Sequence, residues 1–242
     1  MSESREPVFA IIGLDYIGKH LLEDVISNAI PKVEYYAQTI NQLLDSVGSL
    51  DNADMVIFWG NKISFVSDVF AKSAQELSNN GVLVVALVLD SKDVSELPSL
   101  NDCDLTIPLS ASAQGNCAAF VTDVIDTLVA PILTESVIML SFSDLSEMVK
   151  NSGNGIFSIG VSDVDVDRVG IATDIAINSS IRSNIMKANK VLVCITGKIE
   201  LEDFVNIGNI TKAFIPDQAV AFVTTSGREI PENNIKVSII CA

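Results

Sequence analysis

Histidine, cysteine and basic side chains are all scarce in this chain, and each shortage closes off a class of chemistry. Histidine occurs once in 242 residues, as His20, with no cysteine or second histidine near it, which argues against a metal site there. The four cysteines, Cys103, Cys117, Cys194 and Cys241, stand far apart without C-x-x-C spacing, and three lie in apolar surroundings. They predict buried free thiols in a reducing compartment rather than disulfides or zinc ligands. Lys and Arg number 15 against 31 Asp and Glu, a net charge of −16. Such a chain repels nucleic acid and anionic membrane surfaces, so neither is expected as a partner. No apolar run reaches bilayer length; the longest, Val82 to Leu89, lies between Gly81 and Asp90 and reads as a buried parallel strand. The polar, acidic start lacks the basic-then-apolar order of a secretory signal. A cytoplasmic protein without direct membrane insertion is expected. Internal repeats, low-complexity tracts and heptad runs are also missing.

What is present is ample apolar material, 48% of residues with a mean hydropathy of +0.41, enough for one large or two small packed domains. Strands alternate with helices. Strands are expected at Pro7–Ile12, Val33–Ala37, Ala53–Trp59, Val82–Leu89 and Asp104–Pro108, with a helix at Lys19–Ala29, a short one after the second strand and another at Ser67–Asn79. That order predicts a parallel sheet covered on both faces. A helix over 116–134, with Phe120, Val124, Leu128 and Ile132 at spacings of four, suits a spacer between domains. Beyond it, helices at Phe142–Asn151, Val166–Asn178 and Leu201–Ala213 accompany strands at Ile156–Val161, Lys190–Thr196, Ala219–Thr225 and Ile235–Cys241. The domains are therefore placed at 1–115 and 135–242, with 116–134 as connector.

The first strand runs into Gly13-Leu14-Asp15-Tyr16-Ile17-Gly18 and then a helix, where an α/β domain places a glycine-rich phosphate cradle. The residues between the glycines are bulky or acidic. Leu14 and Tyr16 hinder close approach of a phosphate, and Asp15 adds like-charge repulsion. A dinucleotide fingerprint fails because its middle glycine is Asp15. After the third strand, Lys62 offers a point charge for phosphate but reads first as a solvated loop lysine, and Trp59 offers a stacking face but reads first as a space-filling aromatic. Asp163, Asp165 and Asp167 alternate as in a calcium loop without its glycine or terminal Glu, and read as an acidic helix start.

In the second half, Gly160-Val-Ser-Asp163 followed by Asp167-Arg168 resembles the entry to the second domain of FtsZ, the prokaryotic relative of tubulin. Lys187–Gly197 is similar to its "GA-x-x-VLV-x-ITG" strand, Glu202–Phe214 to its "DEFETVGNTIRAF" helix, and Val237–Ala242 to its last strand. The first half follows the family's GTPase domain in order: Val33–Ala37 resembles "VEFFAVNTD", Asn52–Phe58 "GADMVFIAAG", and Gly81–Val88 "GILTVAVVT". The phosphate-binding motifs depart from it. Where the family carries GGGTGTG, this chain reads Trp59-Gly-Asn-Lys-Ile-Ser-Phe65, keeping only Gly60.

The resemblance implies a tubulin/FtsZ fold, a Rossmann-like parallel-sheet domain joined by a central helix to a smaller α/β domain. Family members also carry a longer segment between their second and third strands, including loops over the γ-phosphate; here one helix and a turn suffice. Their synergy loop supplies acidic groups in an N-x-D-x-x-D pattern to the neighbouring subunit. The matching positions here are Met139, Ser141 and Asp144, so only the last acid survives. Asp144 reads as a helix N-terminal residue. Each lost charge-assisted bond to phosphate removes about 1.5–3 kcal/mol, so losing three weakens binding by orders of magnitude. The expectation is a pseudo-GTPase with no cofactor and no catalytic residues. Its degenerate pocket comprises Gly13, Asp15, Gly18, Trp59, Gly60 and Lys62, and it acts by contacts with itself or with an FtsZ-family protein. The alternatives are a weak GTPase holding GTP or GDP, and a pocket remodelled for another small ligand around Gly13, Trp59 and Lys62. The chain stops at its last strand, which makes direct membrane tethering doubtful.

Overall fold

A computed structural model describes residues 5–89, 100–109, 117–164, 166–178 and 181–242. Asp165 and the expected domain boundary at 115–116 lie outside the described residues. The chain forms two compact units, one running to Thr122 and including Val149–Gly153, the other comprising Asp123–Met148 and Asn154–Ala242.

In the first unit, five parallel strands stand in the order β2 (Val33–Gln38), β1 (Phe9–Leu14), β3 (Met55–Asn61), β4 (Leu83–Leu89), β5 (Leu105–Leu109). The two-residue β6 (Gly153–Asn154) follows at the edge. β1, β3 and β4 are buried along nearly their whole length because helices cover both faces, which is why they read as continuous apolar runs. One face packs Ala10, Ile12, Val56 and Phe58 against α2 (Ile40–Ser46), the turn Val47–Leu50 and α4 (Asp68–Asn79). Phe58, Phe65 and Phe70 meet edge to face there, with centroids 5.3 and 4.9 Å apart. α1 (Asp15–Ile26) lies against β1, β2 and β3.

The same aspartate device fastens the sheet twice. Asp54 N–H donates to Val8 O while its carboxylate accepts Val8 N–H; Asp104 N–H donates to Val84 O while its carboxylate accepts Val84 N–H. Asp104 does more, accepting Asn151 N–H on Oδ1 at 3.1 Å and the N–H groups of Ser152 and Gly153 on its carbonyl, so it moors the segment 149–153 to the sheet. The repeated acid just before an apolar strand thus saturates main-chain donors that would otherwise be buried unpaired.

α5 (Cys117–Leu133) carries the chain from one unit to the next, and is followed by α6 (Phe142–Val149). The second unit is a four-stranded sheet in the order β7 (Ile156–Ser162), β10 (Ile235–Cys241), β8 (Lys190–Thr196), β9 (Val220–Ser226), with β10 antiparallel to both neighbours and β8 parallel to β9. One face is covered by α7 (Arg168–Asn178) and α9 (Leu201–Lys212), over a core including Ala172, Ala176, Val193, Val237 and Ile239. α7 presses so close to β7 that a Cβ on Gly160 would stand 1.9 Å from Ala172 O, which excludes any larger residue. Lys236, alternating with Val237, reaches Asp123 of α5 at 2.8 Å, and Arg228 reaches Asp126. Burial pushes the Asp126 carboxyl up despite that arginine. Elements the periodicity did not announce are the single turns α3 (Lys62–Phe65) and α8 (Arg182–Ile185).

Replacing Asp104 with Ala leaves two buried or part-buried N–H groups without their carboxylate and is expected to cost about 3 kcal/mol in urea unfolding, with D104N costing less. Burial pushes the Cys103, Cys194 and Cys241 thiols up to about 12, for Cys103 with help from the Asp104 and Asp102 charges, whereas Cys117 is half-buried. Iodoacetamide at pH 8 should therefore modify Cys117 alone in the native protein and all four after denaturation, as read by intact mass.

Candidate functional site

In an open parallel sheet, ligands bind at the carboxyl ends of the strands where the strand order reverses. In the order β2-β1-β3-β4-β5 that point lies at the ends of β1 and β3. The sheet brings Gly13 beside Trp59 in register, with Asp15 and Gly60 immediately following, so the sequence-predicted pocket residues of the first unit converge there.

The expected loop Gly13–Gly18 is not a loop. β1 continues through Leu14 and α1 begins at Asp15, so the strand turns directly into the helix. The two glycines face each other: a Cβ on Gly18 would lie 2.2 Å from Gly13 C, and one on Gly13 would lie 2.7 Å from Gly18 O and 2.8 Å from Trp59 Cζ2. They are required for backbone contact between helix and strand. Trp59 is wholly buried over this contact, and its Nε1 has no partner among the described residues. Leu14 is also buried, 3.0 Å from where a Cβ on Gly60 would sit.

Asp15 adopts a left-handed conformation, φ 56°, which Asp tolerates better than most side chains. Its carboxylate is engaged by two segments distant in sequence. Ile40 N–H, the first amide of α2, donates to Oδ1 at 3.0 Å, and the Ser64 hydroxyl of α3 donates to Oδ2 at 2.5 Å. One side chain thereby answers an orphan amide of a helix start, a buried hydroxyl and its own helix N-terminus with a single negative charge. Ser64 and Ile40 were not anticipated from the sequence; Ser64 carries no motif signal, and Ile40 contributes only its backbone.

The rim is apolar. Tyr16 follows Asp15 and is 73% exposed, with its hydroxyl hydrogen-bonded to His20 and the two rings edge to face at 4.4 Å. Ile63 precedes Ser64 and is 81% exposed, and Val66 is exposed beyond it. Lys62 is exposed on the first position of α3. A cavity of about 360 Å³ nearby, lined by Phe65, Val66, Phe70, Leu100 and Cys103, includes none of Gly13, Trp59 or Lys62.

The remaining predicted residues lie in the second unit. Met139 is 60% exposed and Val137 is exposed beside it. Ser141 and Asp144 form a reciprocal cap on α6: the Ser141 hydroxyl and N–H donate to Asp144 Oδ2 at 2.6 and 3.2 Å, and Asp144 N–H donates to Ser141 Oγ at 3.1 Å. The Asp144 carboxylate is thus committed to its own helix. Asp167, φ 51°, sits before α7 with its carboxylate over Gly170.

This two-unit α/β architecture is the fold of FtsZ and tubulin. It superposes on a mutant FtsZ from M. jannaschii with a TM-score of 0.83 and 15% identity, covering 98% of this chain and 91% of that one. An empty FtsZ dimer from the same organism gives 0.78 and 15%, covering 99% and 89%. GDP-form protofilaments of TubZ from Bacillus thuringiensis serovar israelensis give 0.60 and 11%, covering 96% and 83%. No protein-family model and no curated protein matches the sequence.

Removing the Asp15 carboxylate should loosen the joint between α1, α2 and α3. Asp15→Ala is expected to cost about 3 kcal/mol from two lost bonds and an unfavourable left-handed alanine, while Asp15→Asn, which keeps an acceptor and tolerates the conformation, should cost about 1 kcal/mol, both by urea unfolding.

Proposed function

We propose that this chain is a pseudo-GTPase with the FtsZ/tubulin fold, one that neither binds nor hydrolyses GTP and works through protein contacts. The observation that carries this reading is the Asp15 carboxylate bonded to Ile40 N–H and Ser64 Oγ in the crevice where the fold would seat phosphate. A nucleotide would have to displace that carboxylate or sit beside its charge, at a cost of several kcal/mol. Direct backbone contact between Gly13 and Gly18 further leaves no room for phosphate between strand and helix.

Two surfaces support association. One is the apolar rim of Tyr16, Ile63 and Val66 on the first unit; the other is the segment with exposed Val137 and Met139 on the second. The solved proteins of this fold include a dimer and protofilaments, and the dimer is described as empty. The partner we infer is a further copy of this chain or an FtsZ-type subunit, in a cytoskeletal or division filament within the cytoplasm. With Met139 and Ser141 in place of water-orienting groups and Asp144 held by its cap, this chain would dock on an active subunit's nucleotide without promoting hydrolysis. Docked by its rim instead, it would end a filament.

A second reading, a small ligand held around Gly13, Trp59 and Lys62, has one observation in its favour, the unpartnered buried indole N–H of Trp59. It predicts a bound molecule in native mass spectra of the purified protein.

Calorimetry on nucleotide-stripped protein with magnesium should give no heat for GTP or GDP up to millimolar concentration. Binding in the micromolar range would refute the reading.

A further inference from the structure

β9 forms one edge of the second unit's sheet and, among the described residues, pairs with β8 alone. Val220 N–H donates to Asn189 O. In a parallel ladder successive residues turn their main-chain groups to opposite sides, so Val220, Phe222 and Thr224 face β8 while Ala221, Val223 and Thr225 face outward. Thr225 is answered by the chain itself: its N–H donates to Ile138 O at 3.0 Å, and its hydroxyl accepts Ile138 N–H at 2.9 Å. Ala221 and Val223 have no outward partner among the described residues.

Over Ala221 and Val223 the edge is left uncovered, and the strand, Val-Ala-Phe-Val-Thr-Thr-Ser, contains neither charge nor proline to protect it. Beside Ala221 and Val223 lies a groove of about 290 Å³ between β9 and α9, lined by Gly208, Thr211, Ile215, Ala219 and these two residues. A Cβ on Gly208 would meet nothing within 4 Å, so that wall is open. Lys212, Pro216 and Asp217 complete the lining.

We infer that the β9 edge receives an extended, basic segment of a partner protein, which adds a strand through Ala221 and Val223 and sets alternate small apolar side chains in the groove. Two outward residues offer two N–H and two C=O groups in strand register, which specifies an extended backbone rather than a helix; the groove selects every second side chain. The net charge of −16 selects a basic segment at this edge, since its field draws cations. This inference does not depend on whether nucleotide is bound.

The probe is a short fluorescein-labelled peptide of alternating valine and lysine, with a version carrying glutamate for lysine and another carrying proline for the central valine. Fluorescence anisotropy should report sub-millimolar binding of the lysine peptide alone, and hydrogen exchange at Ala221 and Val223 should slow about tenfold or more in its presence. Ala221→Pro removes an outward N–H without touching the β8 ladder and should weaken binding about tenfold. Ala221→Lys, which keeps the backbone intact and sets a like charge on the edge, should do the same if A221P folds poorly. The inference is overturned by unchanged exchange at millimolar lysine peptide, by equal binding of the proline or glutamate peptide, or by concentration-dependent protection of Ala221 and Val223 without peptide, which would mark the edge as a contact between copies.

Discussion

The carboxylate of Asp15 is the joint on which the first unit's functional end depends. It sits where β1 becomes α1 and holds the start of α2 and the turn of α3 through two hydrogen bonds. Because those partners are a main-chain amide and a buried hydroxyl, both would carry a desolvation cost without it. The left-handed backbone at Asp15 and the contact of Gly13 with Gly18 follow from the same arrangement, for the strand must enter the helix without intervening loop residues. Trp59 then closes over the contact as a buried aromatic.

A fold of this kind places a crevice at a fixed point of the sheet, but the residues in the crevice decide what it can hold. Here the Asp15 carboxylate stands in the crevice, Gly13 and Gly18 are spent on backbone packing, and exposed Tyr16, Ile63 and Val66 stand around it together with Lys62. The second unit repeats the theme with Asp144, whose carboxylate is turned back on Ser141 and the start of α6. In both places an acid that could meet a ligand or water is engaged in local structure.

Much of the fold was legible because its strands are buried on both faces: Leu83–Leu89 reads as a strand from composition alone, and Lys190–Thr196 and Ile235–Cys241 match their expected bounds. Single turns such as Lys62–Phe65 were not, since four residues carry no periodicity and depend on tertiary partners. At the site, the residue identities were readable and their roles were not. Asp15 reads as a charge that repels phosphate, whereas its partners lie 25 and 49 residues away and only the folded chain brings them to it. Gly13 and Gly18 look like remnants of a cradle, yet the distance between them makes them a packing pair.

The measurement closest to the central claim is the amide resonance of Ile40 in a proton–nitrogen correlation spectrum, recorded with and without magnesium and millimolar GTP. If the Asp15 carboxylate owns that N–H, the Ile40 peak stays in place when nucleotide is added and moves in the Asp15→Asn variant. A shift of the Ile40 peak on adding GTP to the unaltered protein would mean that phosphate can take the carboxylate's place, and would contradict the account.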